Sequence, residues 1–323
     1  MEILNLNFDN LINDYENLIN KKLKTVYKNG PKSLVEVFNY VINSDGKRVR
    51  PILTLLTNHV CKGNIENALP AALSIEMFHD FTLVHDDIMD DDKVRRGLKT
   101  VHEKWDLGTG VLTGDLILSV SLNNLIKNYQ NNSNVVKIFT KGLLAVCEGQ
   151  ALDKEFESKQ KISITEYMKM IDLKTGYLLG MCTEIGAVTA EVNNYDARKL
   201  REYGILLGRG FQIQDDYLEI FSDSKKMGKS LQSDIMLNKK TFLMILANLK
   251  CPKLIQDAIE LSKKDFNKGI DLVRKLLVEK GVKKETECKI NEIFSEANKI
   301  LNDLNFDTSF LHSYSMHILN RRR

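Results

Sequence analysis

Along most of the chain the apolar residues recur three and four positions apart, as in Leu11, Tyr15, Leu18 and Ile19, or in Leu200, Tyr203, Gly204 and Leu207. That spacing gathers them on one face of a helix, and alternating runs of strand length are scarce. The four prolines, Pro31, Pro51, Pro70 and Pro252, each stand ahead of such a stretch. A missing N–H does no harm in a first helical turn, so they predict helix starts. No Gly/Ser-rich or Pro-rich linker interrupts the pattern and no repeat of solenoid length appears. The expectation is one all-α domain over residues 1–323.

Composition narrows the class. With 323 residues, 43% hydrophobic and 28% charged, the chain can bury a sizeable core. Its 46 basic residues stand against 43 acidic ones, a formal charge of only +3, so no global field marks it as a binder of nucleic acid or of a membrane surface. Any anion site must be local. The lysine-rich stretches 263–268 and 280–289 read as solvated faces. Five scattered cysteines without a CxxC pair argue against a disulfide framework and a zinc site, and fit a reducing cytoplasm. The N-terminus is acidic where a signal peptide is basic, and no later stretch offers an uninterrupted apolar run of roughly 20 residues. A cytoplasmic chain without integral membrane association is expected.

Candidate chemistry begins at His85-Asp86-Asp87-Ile88-Met89-Asp90-Asp91-Asp92, which closes the apolar pattern running from Pro70 through Leu73, Met77, Phe78, Phe81 and Val84. On one helix Asp86 and Asp90 lie a turn apart on one face, where like charges repel and oppose the dipole of a helix C-terminus. The cluster asks for a cation, and hard carboxylates suit Mg2+, which completes its shell with water and phosphate. A second segment, Gln212-Ile213-Gln214-Asp215-Asp216-Tyr217-Leu218-Glu219, repeats the one-turn spacing through Asp215 and Glu219. Either cluster alone reads as a solvated acidic helix end. Two matched clusters favour metal.

Cations accompany them. Arg95-Arg96-Gly97 follows the first cluster and offers fork-shaped donors for phosphate. Gly46-Lys47-Arg48-Val49-Arg50-Pro51 places two or three cations at a predicted helix start, a ready anion site that would read as a basic surface turn if it stood alone. Lys174 sits beside Thr175 and Gly176 in an apolar region, and Lys229 and Lys239 flank Asp234. His79 lies inside an apolar stretch, where a lone histidine is more often a satisfied core residue.

With these residues in view, the chain resembles the trans-isoprenyl diphosphate synthases, the farnesyl and geranylgeranyl diphosphate synthase group, over nearly its whole length. Asp86 to Asp90 with Arg95-Arg96-Gly97 is similar to that family's first aspartate-rich motif, Gln212 to Glu219 to its second, and Gly46 to Pro51 to its GKRxRP motif. The resemblance implies a large orthogonal helical bundle of the isoprenoid synthase type with a central active-site cavity, a homodimer, and a cluster of three Mg2+ ions. It implies that Asp86, Asp90, Asp215 and Glu219 hold metal, Glu219 departing from the aspartate many members carry. Asp86, Asp87, Asp90, Lys174, Asp215 and Asp216 would form the catalytic set. Lys47, Arg50, His79 and Arg96 would hold isopentenyl diphosphate. Arg95, Lys174, Thr175, Gln212, Lys229 and Lys239 would bind the allylic diphosphate, with Gln150 and Asp153 lining the site. Arg321-Arg322-Arg323 resembles a basic tail that closes over the homoallylic substrate in some members.

The implied chemistry is ionisation of an allylic C–O bond, with metal and cationic side chains stabilising the departing diphosphate. The double bond of isopentenyl diphosphate then attacks the cation, and loss of a proton restores an alkene one isoprene unit longer. In this family the depth of the chain tunnel depends on residues upstream of Asp86. A bulky Phe81 with a smaller Thr82 resembles archaeal-type geranylgeranyl synthases, and Phe78, about one turn deeper, is a second candidate floor. Both phenylalanines also suit an ordinary core. A terpene cyclase would carry an Asn/Ser/Glu metal triad, which residues 211–234 lack. A non-catalytic partner subunit commonly loses an acidic motif, and this chain keeps both.

Overall fold

The computed structural model describes residues 2–221 and 239–320, with side chains from residue 7 onward. Helices dominate it: α1 (Glu2–Leu23), α2 (Lys32–Ile42), α3 (Val49–Val60), α4 (Ile65–Met89), α5 (Val101–Lys104), α6 (Leu107–Asn128), α7 (Ser133–Ser158), α8 (Ile164–Ile171), α9 (Tyr177–Thr189), α10 (Asn194–Phe221), α11 (Phe242–Lys250), α12 (Pro252–Lys264), α13 (Phe266–Glu279), α14 (Val282–Asn302) and α15 (Ser309–Leu319). A π-helical turn, Asp172–Gly176, joins α8 to α9. Two-residue strands β1 (Val94–Arg95) and β2 (Leu98–Lys99) form a hairpin. The chain belongs to the all-α class that its periodicity predicts. It divides into two compact units, residues 1–143, 181–201 and 305–311 in one, and residues 144–180, 202–304 and 312–323 in the other.

The first unit is organised on α4. Asn64 caps its start, its side chain accepting from Glu66 N at 3.0 Å. The helix presents buried Leu69, Ala72, Ile75 and Phe78 to its neighbours, with Leu53, Leu55 and Leu56 of α3 also in the core. Against α6 it is pinned by reciprocal bonds: Ser74 Oγ donates to Ser121 O at 3.0 Å, and Ser121 Oγ to Ser74 O at 2.8 Å. The pairing is close because α6 carries Gly114 opposite His85, whose Nε2 lies 2.1 Å from where a Cβ would stand.

One expectation is corrected by the position of Pro70. Pro70 does not start a helix; it lies inside α4, five residues past the first. Tyr129 makes this possible. Its hydroxyl donates to Asn67 O at 2.5 Å and accepts from Ala71 N at 3.2 Å, inserting between two groups that would otherwise pair i to i+4 beside the proline. Asn124 Nδ2 donates to Pro70 O at 2.9 Å. The other three prolines do sit at or near helix starts. By length and composition alone α6 is long and apolar enough to cross a membrane, with a mean hydropathy of 1.2 over its best window, although it holds no unbroken apolar run of that length. Polar residues interrupt its sequence, which hides it from a search for an unbroken apolar run. It packs on α4 within this unit.

The second unit is built on residues 202–221 of α10 with α11 to α14. Gly210 lets Phe294 of α14 approach to within 2.7 Å of its missing Cβ, and Leu207, Ile213, Phe242, Leu243 and Ile293 are buried. Ser163 and Glu166 form a reciprocal capping box at the start of α8.

Candidate active site

In the first unit, α4 ends where its acidic run begins. Asp90 is the C-cap, its N–H bonded to Asp86 O at 2.9 Å, so Asp86 and Asp90 are indeed one turn apart, both half-buried. Asp87 faces elsewhere. It is buried and ion-paired with Arg95 Nε, and Arg95 Nη2 also reaches Asp92 Oδ2 at 3.5 Å. Burial pushes the Asp87 carboxyl up to about 6 against the pull of Arg95. Arg95 and Arg96 are delivered by the hairpin, whose turn residues Arg96 and Gly97 take φ of 51° and 81°, the paired positive values of a type I′ turn. Tyr40 Oη ties the hairpin to α2 by donating to Lys99 O at 2.7 Å.

A basic cluster surrounds His79. Burial first, then the charges of Arg50, Arg96, Arg95 and Arg48, hold its imidazole well below the usual range, although part of its surface reaches solvent. It is therefore a neutral hydrogen-bonding group among cations. Arg96 Nη1 lies 3.4 Å from Ser44 Oγ, and a Cβ on Gly46 would stand 2.9 Å from the same nitrogen. Lys47 is exposed, whereas Arg48 is buried and committed to protein groups. Two buried carboxyls lie beneath, Glu76 paired with Arg48 at 2.8 Å, and Asp80, whose Oδ2 has no partner among the described residues. Burial, with Glu76 nearby, raises Asp80 well above the carboxylate range.

The tunnel candidates share one face of α4. Phe78 is fully buried, stacked at 6.0 Å on Phe81 and edge-on at 5.6 Å to Phe139 of α7. Phe81 is half-buried and meets His85 at 4.7 Å, and Thr82 Oγ1 donates to His79 O at 2.7 Å. Phe81 thus presents surface that Phe78 does not.

In the second unit a cavity of about 130 Å³ is lined by Asp153, Tyr167, Lys174, Thr175, Gln212, Asp215, Asp216, Glu219, Lys239 and Lys240, among others. The π turn supplies Lys174 and Thr175. Two glycines admit it: a Cβ on Gly149 would stand 2.3 Å from Lys174 N, and one on Gly208 would stand 2.8 Å from Gly176 Cα. Arg209 then grips its first residue, Asp172, through Nε at 2.8 Å and Nη2 at 2.7 Å. Lys174 Nζ donates to Asp153 at 2.6 Å, and Thr175 Oγ1 to Gln212 Oε1 at 2.9 Å. Asp216 is buried and accepts from Tyr167 Oη at 2.6 Å, Gln212 Nε2 at 3.1 Å and Phe242 N at 3.4 Å. Burial outweighs these donors and lifts it to about 7. Asp215 and Glu219 are half-buried and line the cavity one turn apart.

Sequence reasoning missed Asp172, Arg209, Tyr167 and Glu76, none of which belongs to a run of like charges. It placed Gln150 near the site; the amide oxygen of that residue is shut off from solvent with no partner among the described residues. Lys229 and Arg321-Arg322-Arg323 lie outside the described residues. Asp91, His102 and Glu103 bring candidate ligand atoms within 4.8 Å of one another, a trio the sequence did not single out. The donor set at Asp86 and Asp90, and again at Asp215 and Glu219, is all carboxylate at one-turn spacing, which fits Mg2+.

Helices throughout, with carboxylates a turn apart and cations beside them, define an all-α protein suited to hold a hard cation next to an anionic ligand. Comparisons with known proteins agree. The chain is 38% identical over 280 residues to the geranylgeranyl diphosphate synthase of Sulfolobus acidocaldarius, covering 83% of this chain and 85% of that one. It is 42% identical over 231 residues to the short chain isoprenyl diphosphate synthase of Methanocaldococcus jannaschii, covering 71% and 70%. The solved geranylgeranyl pyrophosphate synthetase from Pyrococcus horikoshii superposes with a TM-score of 0.89 at 30% identity, covering 99% of each chain. The model of the polyprenyl synthetase family matches residues 31–277, and the chain belongs to that family.

Proposed function

We propose that this prenyltransferase condenses isopentenyl diphosphate with dimethylallyl, geranyl or farnesyl diphosphate to give geranylgeranyl and/or farnesyl diphosphate, releasing diphosphate. The observation that carries this reading is the cavity in which Asp215 and Glu219 stand beside Lys174 and Lys239. Carboxylates to hold a hard cation and lysines to meet phosphate are what a metal-bound diphosphate needs. Named relatives at 36–38% identity support the geranylgeranyl product.

In this reading Mg2+, three ions by family resemblance, would be held by Asp86 and Asp90 in one unit and by Asp215 and Glu219 in the other, and would supply Lewis-acid stabilisation of the leaving diphosphate. The chain's own residues do the rest. Lys174, Thr175, Gln212, Lys229, Lys239 and Arg95 bind the allylic diphosphate, the first held by the π turn so that its Nζ keeps one position. Lys47, Arg50, Arg96 and neutral His79 orient isopentenyl diphosphate. Asp87 and Asp216 serve from behind, Asp87 by fixing Arg95 and Asp216 by fixing Gln212. Residues 1–323 act as one catalytic domain, in the cytoplasm and as a homodimer. Phe81, the more exposed of the stacked pair with Phe78, limits the product chain, with Thr82 beside it.

The test incubates purified protein with Mg2+, labelled isopentenyl diphosphate and each allylic primer, and sizes the dephosphorylated products for wild type and Phe81→Ala. A geranylgeranyl product that lengthens in the variant supports both the reaction and the floor. No elongation with any primer refutes the synthase reading.

A further inference from the structure

We infer that Arg48 is a positioning residue for the isopentenyl diphosphate site: turned inward from the basic segment, its guanidinium locks the backbone that carries Lys47 and Arg50 and on which Arg96 rests. The inference rests on the function proposed above.

The sequence shows three cations in four residues, Lys47, Arg48 and Arg50, with nothing to separate them. The structure separates them sharply. Arg48 is the N-cap of α3 and adopts φ 46°, a left-handed conformation that non-glycine residues seldom take. Its side chain is 4% exposed. Nε donates to Asn20 Oδ1 of α1 at 2.9 Å, Nη1 to Glu76 Oε1 of α4 at 2.8 Å, and Nη2 to Ile42 O at 2.9 Å and Ser44 O at 3.2 Å, the last residue of α2 and one two positions beyond it. One planar group therefore joins α1, α4 and the exit from α2 to the first turn of α3. A guanidinium so enclosed has no face to offer a phosphate.

What it fixes is the segment from Ser44 to Val49. Lys47, its neighbour, is left exposed. Ser44, whose carbonyl Arg48 holds, also meets Arg96 Nη1 through its hydroxyl, and the backbone at Gly46 lies against the same guanidinium. Arg50 follows two residues on and is among the charges that act on His79. The groups assigned to isopentenyl diphosphate thus share one support. Lysine cannot replace it, because an ammonium is a point donor and cannot bridge carboxylate, amide and two carbonyls in one plane.

The experiment compares wild type with Arg48→Lys, Glu76→Asp and the double variant Arg48→Gln/Glu76→Gln, which removes the ion pair without stranding a buried charge. Read out are Tm, kcat, and KM for isopentenyl and for geranyl diphosphate. The expected result is a rise of at least ~10-fold in KM for isopentenyl diphosphate, with kcat and the geranyl diphosphate KM little changed, in every variant that folds and whatever its Tm. A support that is merely structural lowers Tm and the amount of active enzyme but leaves KM where it was, and that result overturns the inference. So does an equal rise in both KM values, or a fall in kcat alone. A wild type that turns over while no variant shifts KM refutes this inference alone; a wild type that never turns over refutes the proposed function and this inference with it.

Discussion

Gly208→Ala is the sharpest test of how the second-unit cavity is built. The new Cβ would stand 2.8 Å from Gly176 Cα and 2.9 Å from Thr175 O, both backbone atoms that no rotamer change can move. Ordinary contact begins near 3.4 Å, so the π turn and α10 must part by about 0.6 Å, an overpacking strain worth ~1–3 kcal/mol. Gln212 lies one turn along α10 from Gly208, and Thr175 Oγ1 donates to it at 2.9 Å. Parting by that amount stretches the bond to about 3.5 Å, the edge of hydrogen bonding. Gln212 then loses one of the two groups that orient it, the other being Asp216. A displacement of 1 Å can lower turnover by ~100-fold, so this one should lower kcat/KM for geranyl diphosphate by about 10-fold.

Steady-state kinetics with each substrate varied in turn, together with urea unfolding, measures both effects. Gly142→Ala is the control. Its Cβ would meet Met181 Sδ at 2.5 Å, nominally a worse clash, yet a thioether on a flexible side chain can swing aside, so the loss there should be under ~1 kcal/mol with kinetics unchanged. If Gly208→Ala binds geranyl diphosphate as wild type does, or if the two glycines respond alike, the close-packing account of the π turn is wrong.

Three further outcomes follow from the same geometry. Arg209→Lys keeps the charge but loses the two-pronged grip on Asp172; for a partly exposed pair the stability loss is small, about 0.5–1 kcal/mol by urea unfolding, with the KM for geranyl diphosphate raised and that for isopentenyl diphosphate unchanged. Tyr129→Phe orphans the buried Ala71 N–H and should cost ~1–3 kcal/mol, with faster amide exchange at Ala71; exchange there that matches wild type refutes the bridging role. Asp216 is raised in the folded chain from 3.8 to about 7, so the native state binds its proton more tightly than the unfolded one and stability contributed by that proton is lost as pH rises from near 4 through about 7. In metal-free buffer Asp216→Asn should flatten the fall in unfolding free energy over that window, and equal slopes for the two proteins would sink the assignment.

Much of the candidate site's local geometry was legible because its signals are local. Helical periodicity places Asp86 and Asp90, or Asp215 and Glu219, on one face without any knowledge of the fold. What the sequence hides is decided by partners far along the chain. Lys174, Thr175 and Gly176 read only as a cation in an apolar region; the segment is a π turn where Gly149 and Gly208 bring α7 and α10 close to its backbone. Pro70 reads as a helix start because nothing near it announces that Tyr129, far along the chain, supplies the missing link. The inward turn of Arg48 depends on Glu76, 28 residues on, and on a left-handed φ that no local pattern signals.

These hidden contacts share a logic. Lys47-Arg48, Asp86-Asp87 and Asp215-Asp216 are three of the chain's runs of like charge. Successive residues on a helix point about 100° apart, so two neighbours meet different surroundings. In the two acidic pairs the second member is buried and held by the protein, Asp87 by Arg95, and Asp216 by Tyr167, Gln212 and Phe242 N, while the first stays half-open. At the start of α3 the left-handed turn has the same effect on Arg48 and Lys47. A concentrated charge left wholly to solvent would repel itself and wander. Anchoring the inner member with buried hydrogen bonds, which are stronger in low dielectric than in water, fixes the backbone from which the outer one acts. Doubled charges in such a motif are therefore one device with two parts, an anchor and a ligand-facing group, rather than two copies of one role.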